Sequence, residues 1–446
     1  MAVNRLTADD DLFWKVHRLF GSVLVNQLAW RFDAPLERAV VEALHAQLTQ
    51  GFLARRVVPT RMPFARPYWA PAIASNPLDW QADPVPADGV VDWLSAQTDA
   101  DLDPASGRLW RLSAAPFAGG TLLSLVTSHV GADGGAVIFA VQDALARVAR
   151  GLPAERADGS GRLVGEVPAR GRLRSDLADA AGQVRAIVSG IGKAYRARHV
   201  TEPGRRPRPQ EPRLDLPERH QPAELVLNVP LEQWNSVAAA HAGTANGLML
   251  GTAVGVLGRC GRIEDGEQVR VDIPRSLRVP DDPRGNATTG VPISVPYRKG
   301  DLADLTHIRA ATKQAISSYG DPATTPALQH LQPVQMVIPD FVARRFVRTS
   351  KAPICLCTNL GETAQTVATL GAATAAAVLM RPVIRATETE FLRRTEVGVN
   401  MSWSSDGQTV TLSVIAADPD RFPTREALRG YVEEEFAAWG LTPTFW

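Results

Sequence analysis

The segment Ser128-His129-Val130-Gly131-Ala132-Asp133-Gly134 places an imidazole and a carboxylate four residues apart in a glycine-rich turn. It follows the apolar stretch Thr121 to Ser128, which predicts a strand, and it precedes residues 135 to 150, which predict a helix. Catalytic side chains are common at strand ends, because the loop gives access while the sheet fixes their position. An imidazole with a pKa of about 6.5 can accept a proton from a hydroxyl, an amine or a thiol near neutral pH. His129 is therefore a candidate general base.

A purely structural interpretation of these residues is also open. Asp133 is a good helix N-cap, and a histidine at a strand end can form hydrogen bonds with backbone groups alone.

Motifs for other enzyme chemistries are weaker in this chain. The chain has no Gly-x-Ser-x-Gly elbow for a serine hydrolase, and Gly190-Ile191-Gly192-Lys193 lacks the spacing of a phosphate-binding loop.

The motif resembles the signature of the HxxxDG acyltransferase superfamily. This superfamily includes chloramphenicol acetyltransferase, wax ester synthases, polyketide-associated acyltransferases and the condensation domains of peptide synthetases. Other segments resemble wax ester synthase-like proteins and follow the same order along nearly the whole chain: Gly107 to Leu112, Thr244 to Gly247, Pro274 to Arg278 with Gly285-Asn286, and Thr358 to Gly361. Several segments in the right order are more specific than one short motif.

This resemblance implies an α/β fold of two chloramphenicol-acetyltransferase-like lobes, with mixed sheets and a tunnel between them. It implies that His129 deprotonates the acceptor, which attacks a thioester directly without an acyl-enzyme. Asp133 would point away from the substrates and pair with an arginine, for which Arg278 is the expected partner. The Gly134 amide, at a helix start, would assist the developing oxyanion.

The chain departs from its relatives at two places. Many of them have a second histidine where this chain has Ser128, a position that is usually structural. Their Asn-Asp pair is replaced by Asn246-Gly247, which weighs against wax ester or diacylglycerol synthesis as the specific reaction.

Four polar residues near these segments are expected to bind substrate: Ser128, Asn286, Thr358 and Asn359. The alternative is that Asn286, Thr358 and Asn359 are turn and strand-end residues. The arginines around Pro203 to Pro209 offer contacts to coenzyme A phosphates or to an acidic carrier protein, or they belong to a solvated linker.

Composition narrows the class of protein. A chain of 446 residues with 45% hydrophobic and 21% charged residues fits two globular lobes, and a net charge of +1 argues against a nucleic-acid partner. Three cysteines argue against a disulfide framework, and Cys355 and Cys357 lack a second zinc-ligand pair, so no metal is expected. The acidic start resembles no signal peptide, and the apolar run Val367 to Met380 is too short for a transmembrane segment. A cytoplasmic location is expected.

Strand and helix patterns alternate along the chain, which is typical of the α/β class. An N-terminal lobe carrying the motif is predicted for residues 1–170, a helix and a Pro/Arg-rich linker for 171–222, and a C-terminal lobe for 223–446. The breaks fall where proline, glycine and arginine cluster.

Three functions remain open from the sequence. The first is acyl transfer to a hydroxyl or amine of a small-molecule acceptor in natural-product or lipid metabolism. Its donor would be an acyl-CoA or a phosphopantetheine thioester on an acyl or peptidyl carrier protein, a co-substrate rather than a bound cofactor. The second is a free-standing condensation enzyme that joins carrier-bound building blocks, and a requirement for a carrier thioester would distinguish it. The third is a catalytically silent carrier-binding scaffold, against which the intact His129 and Asp133 speak.

Overall fold

The computed structural model describes residues 3–21, 23–153, 169–200, 213–300, 304–317, 319, 325–349 and 353–446. The segment Pro203 to Pro209, with Arg205, Arg206 and Arg208, lies outside these residues, whereas Arg196 and Arg198 lie within them. The strands are β1 Leu24–Phe32, β2 Arg55–Val58, β3 Tyr68–Pro71, β4 Asp79–Trp80, β5 Trp110–Phe117, β6 Gly120–Ser128, β7 Arg219–His220, β8 Ala223–Pro230, β9 Gln268–Ser276, β10 Thr288–Pro296, β11 Cys355–Asn359, β12 Thr369–Leu370, β13 Ala373–Thr374, β14 Ala377–Ile384, β15 Thr387–Glu388, β16 Val399–Ser405, β17 Thr409–Ala416 and β18 Thr444–Phe445.

The helices include the one predicted for residues 135 to 150, which both begins and ends one residue earlier. They are α1 Ala8–Phe20, α2 Arg38–Leu48, α3 Val90–Gln97, α4 Gly134–Ala149, α5 Ala169–Arg196, α6 Leu231–Ala240, α7 Ala245–Arg259, α8 Thr306–Ser317, α9 Ala327–His330, α10 Gln332–Val337, α11 Asp340–Thr349, α12 Thr389–Thr395 and α13 Arg425–Ala438. No helix in these described ranges has the length and apolarity needed to cross a membrane.

Two mixed sheets form the frame of the molecule. A five-stranded sheet has the order β14-β1-β6-β5-β4, and a seven-stranded sheet has the order β10-β9-β11-β16-β17-β8-β18. Each sheet has its own large apolar core, built with α2 and α4 on the first sheet and with α6, α7 and α13 on the second. The predicted α/β class and the two-lobe fold are confirmed.

One strand from the C-terminal half completes the first sheet. β14 pairs antiparallel with β1 along eight residues, so that residues 377 to 384 lie in the sheet that carries the His129 motif. A buried ion pair joins the two sheets here, since Arg381 of β14 lies 2.8 Å from Glu224 of β8. The division of the chain at residues 171–222 stays a prediction, and β14 shows that the sheets do not follow the chain order.

The β5–β6 hairpin and α4 position the motif. Ala118 and Gly119 adopt φ of 49° and 81° at the turn, which a tight hairpin requires. The hairpin is locked to β1 by antiparallel pairing up to Ser128. His129 therefore leaves the central strand of a rigid sheet, and its backbone position is fixed.

Candidate active site

The side chain of Asn286 determines which nitrogen of His129 carries the proton. Its Nδ2 donates to Asp10 Oδ1 at 2.9 Å and to the His129 carbonyl at 3.0 Å. Because both of these partners are acceptors, the amide must turn its Oδ1 toward His129 Nδ1, which lies 3.0 Å away. Nδ1 is therefore the protonated nitrogen of the neutral ring. Nε2 keeps its lone pair and is the nitrogen that can accept a proton.

Asp10 fixes this arrangement from the first turn of α1. Its Oδ1 also accepts from the Asn286 backbone amide at 2.7 Å, while Oδ2 accepts from Thr7 N at 3.0 Å. Asp10 is fully buried and Asn286 is 3% exposed. A carboxylate that is buried and accepts several hydrogen bonds holds its partners in one geometry.

The imidazole is covered on one face by Phe13. The two ring centroids are 3.9 Å apart and the planes are inclined by 24°. The cavity beside the ring measures about 10 Å³, roughly the space for one water molecule. His129 as a whole is intermediate in exposure. Phe13 therefore closes one face of the ring.

Burial lowers the pKa of His129 below its usual 6.5, against the opposing effects of a hydrogen bond from the ring to its own backbone and of the Asp133 charge. A lowered pKa keeps the ring neutral at physiological pH. The environment thus favours a histidine that accepts a proton over one that carries a permanent charge.

Asp133 holds the motif loop and does not point at the His129 ring. Its Oδ1 caps α4 by accepting from Ala136 N at 2.8 Å, and it also accepts from Arg278 Nη2 at 3.0 Å. Its Oδ2 accepts from the backbone of Ala287 and the hydroxyl of Thr288 at 2.7 and 2.8 Å. Burial alone would raise the pKa of Asp133, but Arg278 and these hydrogen bonds outweigh it and hold the pKa below 3.8.

Arg278 lies beside Asp133, with its Nη2 3.0 Å from Asp133 Oδ1. Its guanidinium also donates to the carbonyls of Arg284 and Gly285, both at 3.1 Å, so it closes the loop between β9 and β10. Gly285 is required in this loop. A Cβ there would lie 2.7 Å from Asp10 Oδ1 and 3.0 Å from the Gly131 carbonyl.

Arg55 supports the motif loop from behind. It is 1% exposed and lies between the rings of Phe52 and Trp69, with centroid distances of 3.8 and 4.1 Å. Its two terminal nitrogens donate to the carbonyls of Gly131 and Pro283. Burial lowers the pKa of Arg55 to about 9.

The other site residues predicted from the sequence lie in the motif turn, at the start of α4 and in the loop between β9 and β10. The Ser128 hydroxyl accepts from Val130 N at 3.3 Å, inside the motif turn. Gly134 begins α4, and a Cβ there would meet Met380 and Leu360 within 3.5 Å, so β14 and the end of β11 border the helix start. Asn286 contacts His129 directly. Its substrate-binding role, like that of Ser128, stays a prediction.

Thr358 and Asn359 lie at the end of β11, next to Leu360. Asn359 Oδ1 accepts from Gly361 N at 2.7 Å, and its Nδ2 contacts Asn246 Oδ1 at 3.4 Å. These two contacts of Asn359 stabilise the strand end and the start of α7. A role for Thr358 and Asn359 in substrate binding stays a prediction.

Sequence reasoning missed Asp10, Phe13 and Arg55. One local signal was available, because Thr7 and Asp10 form a capping box at the start of α1 and so place the Asp10 carboxylate at a helix N-terminus. Nothing local links Asp10 or Phe13 to a histidine more than a hundred residues away. Within the described ranges, no group of three or more His, Cys, Asp or Glu residues could hold a metal ion.

The same fold occurs in solved condensation domains and in a wax ester synthase. The condensation domain of the monacolin K polyketide synthase MokA has 14% identity and a TM-score of 0.60, covering 98% of this chain and 97% of that one. A variant starter condensation domain of rhizomide synthetase RzmA, in complex with C8-CoA and Leu-SNAC, has 14% identity, a TM-score of 0.59 and coverage of 98% and 95%. The wax ester synthase/diacylglycerol acyltransferase from Marinobacter aquaeolei VT8 has 14% identity, a TM-score of 0.55 and coverage of 98% of both chains. No family model and no curated sequence matches this chain.

Proposed function

We propose that this protein is an acyltransferase that moves an acyl group from a thioester to a hydroxyl or amine acceptor, with His129 as the general base. The observation that carries the proposal is the oriented imidazole. Nδ1 is held by Asn286, and the lowered pKa leaves Nε2 free to accept a proton. The shared fold with condensation domains and a wax ester synthase agrees with this chemistry.

The reaction follows from this geometry. His129 Nε2 takes the proton from the acceptor as the acceptor oxygen or nitrogen forms a bond to the thioester carbonyl carbon. The carbonyl oxygen becomes an oxyanion, and the amide of Gly134 at the positive end of α4 is the proposed donor to it. The carbon–sulfur bond then breaks, and the imidazolium returns its proton to the thiolate. No acyl-enzyme forms in this scheme.

Asp133 and Arg278 act as positioning residues in this proposal. Their buried ion pair joins the start of α4 to the loop that carries Asn286. Any displacement of that loop would move Asn286 away from His129. The proposed roles of Ser128, Thr358 and Asn359 are contacts to the donor or the acceptor.

The donor is either a free acyl-CoA or a phosphopantetheine thioester on a carrier protein. A variant of the RzmA condensation domain was solved in complex with C8-CoA and Leu-SNAC, so a related fold holds an acyl-CoA together with a small thioester. A free-standing condensation enzyme is therefore the second candidate. It would require a carrier-bound donor, a carrier-bound acceptor, or both.

Mass spectrometry of products tests the proposal. The protein is incubated with a panel of acyl-CoA and acyl carrier-protein thioesters and with hydroxyl and amine acceptors. We expect an ester or amide product that the His129→Ala variant does not form above background. Intact-protein mass spectra with thioester alone should show no acyl adduct. A stable adduct would contradict direct attack, and the absence of product across a broad panel would contradict the proposed function.

A further inference from the structure

The long helix α5 has its polar side turned toward the protein and its large apolar side chains turned toward solvent. Gln183, Gly190 and Ala194 are buried on the inner side. Asp176 and Asp179 also face inward, and each forms an ion pair with an arginine, at 2.5 and 2.7 Å. A surface helix normally has the opposite arrangement, with its apolar stripe on the core.

The outer side of α5 carries large apolar residues that are 44 to 68% exposed: Leu173, Leu177, Val184, Val188, Ile191 and Tyr195. Because successive helical residues turn by about 100°, these six fall within one sector of about 60° that runs roughly 33 Å along the helix. Ala181 and Ile187 border the sector and widen it to roughly 120°. Contiguous apolar surface of this kind marks a site of interaction.

Arginines line one margin of this sector. Arg174, Arg185 and Arg196 are exposed and stand eleven residues apart, which is close to three helical turns, so they form a straight row. In the described part of the chain, no carboxylate pairs with these three side chains. Both acidic residues of α5 face inward, so the charges on its outer side are all positive.

We propose that the outer face of α5 docks on an anionic lipid surface, with the apolar sector entering the headgroup boundary and the arginine row contacting lipid phosphates. A wide apolar sector, low net hydrophobicity and arginines on the polar margin are the features of helices that lie in a membrane interface.

A second copy of the chain fits this face less well than a lipid surface does. Arg174 and Arg196 each stand eleven residues from Arg185. In an antiparallel pair of α5 helices, the arginines of one helix would therefore face the arginines of the other, and the like charges would repel. A single partner helix would need only a narrower apolar seam.

Co-sedimentation of the full chain with lipid vesicles tests this proposal and requires no enzymatic activity, so its result is independent of the proposed acyl transfer. We expect binding to vesicles of phosphatidylcholine with phosphatidylglycerol, weakening as salt is raised, and little binding to pure phosphatidylcholine. Val188→Asp should reduce the binding. The triple variant Arg174→Glu/Arg185→Glu/Arg196→Glu should weaken it by about 100-fold.

A matched control has the same change in net charge at exposed arginines outside α5: Arg38→Glu/Arg213→Glu/Arg429→Glu. This control should bind the anionic vesicles as the unmodified protein does, and circular dichroism should show that all variants are folded. Equal loss of binding in the control and the α5 variant would overturn the proposal, because net charge alone would then explain the affinity. Failure of the unmodified protein to bind, or dimerisation in solution that Val188→Asp abolishes, would overturn it as well.

Discussion

Asn286 accepts a hydrogen bond from His129 Nδ1 at 3.0 Å while it donates to Asp10 at 2.9 Å, so a carboxylate in the first helix fixes the tautomer of an imidazole that follows the sixth strand. The neutral amide between them transmits orientation without placing a negative charge against the ring. This differs from a direct carboxylate–histidine contact, which would raise the pKa of the imidazole. His129 is therefore held for proton acceptance by geometry and by burial.

The pH dependence of acyl transfer should reflect this environment. Since burial lowers the pKa of His129 from 6.5, kcat/KM should fall in acid with a midpoint below pH 6.5, as the ring becomes protonated. Initial rates across pH with a saturable acceptor measure the midpoint. A midpoint above 6.5 would contradict the assignment of His129 as the buried base.

The double variant Asp10→Asn/Asn286→Asp moves the negative charge next to the imidazole and keeps the total charge unchanged. The adjacent carboxylate should raise the pKa of His129 by about one unit or more, so the acidic limb of the rate profile moves to higher pH. The imidazole resonances in NMR measure the same shift without enzymatic turnover. Asp10→Asn alone places no carboxylate in hydrogen-bond contact with the ring. If the pKa of His129 shifted equally in that single variant, Asn286 could not be the group that connects Asp10 to His129.

Removing one partner of the Asp133–Arg278 pair should destabilise the protein. Arg278→Met leaves a buried carboxylate unpaired and should lower the free energy of unfolding by about 3 kcal/mol in urea titrations at neutral pH. Asp133→Asn/Arg278→Met should recover part of this loss. The pKa of Asp133 is depressed in the folded state, so its stabilising contribution is present above its usual 3.8 and is lost as the pH falls below that value. The difference in the free energy of unfolding between wild type and Arg278→Met should therefore become smaller in acid. If this difference in the free energy of unfolding did not change with pH, the ion pair could not be the cause of the lost stability.

Phe13 covers one face of the His129 ring, so Phe13→Ala should make the ring more reactive. Modification by diethyl pyrocarbonate, followed at the peptide that contains residue 129, should be faster in this variant than in wild type. Phe20→Ala is the matched control on the same helix, because Phe20 packs on Phe391 and not on the imidazole. Equal rates in wild type and Phe13→Ala would show that α1 does not limit access.

The sequence predicted much of the local structure and little of what connects distant segments. The largely apolar stretch Leu24 to Phe32 predicts an extended segment, and β1 has the same bounds. β10 was not predicted, because the run from Thr288 to Pro296 contains a glycine and two prolines. The place of β14 in the first sheet has no local signal, since strand pairing depends on partners far away in the chain.

The candidate site shows the same limit. His129, Asp133 and Asn286 were found from motifs, and the contact between Asp133 and Arg278 was expected from the resemblance. The Asp10–Asn286–His129 connection depends on side chains separated by 276 and 157 positions, for which a single sequence carries no pattern. Arg55 could not be predicted either, because no local sequence pattern distinguishes an arginine that is buried among aromatic rings from an exposed one.

The most direct test of the central claim compares the turnover of two histidine variants on the same thioester and acceptor. His129→Ala should lower kcat by about 100-fold or more, as expected for loss of a general base, with an unfolding midpoint close to that of wild type. His307→Ala, at an exposed position of α8, should keep full activity. If His129→Ala turned over the substrates at the wild-type rate, the imidazole could not be the group that accepts the proton.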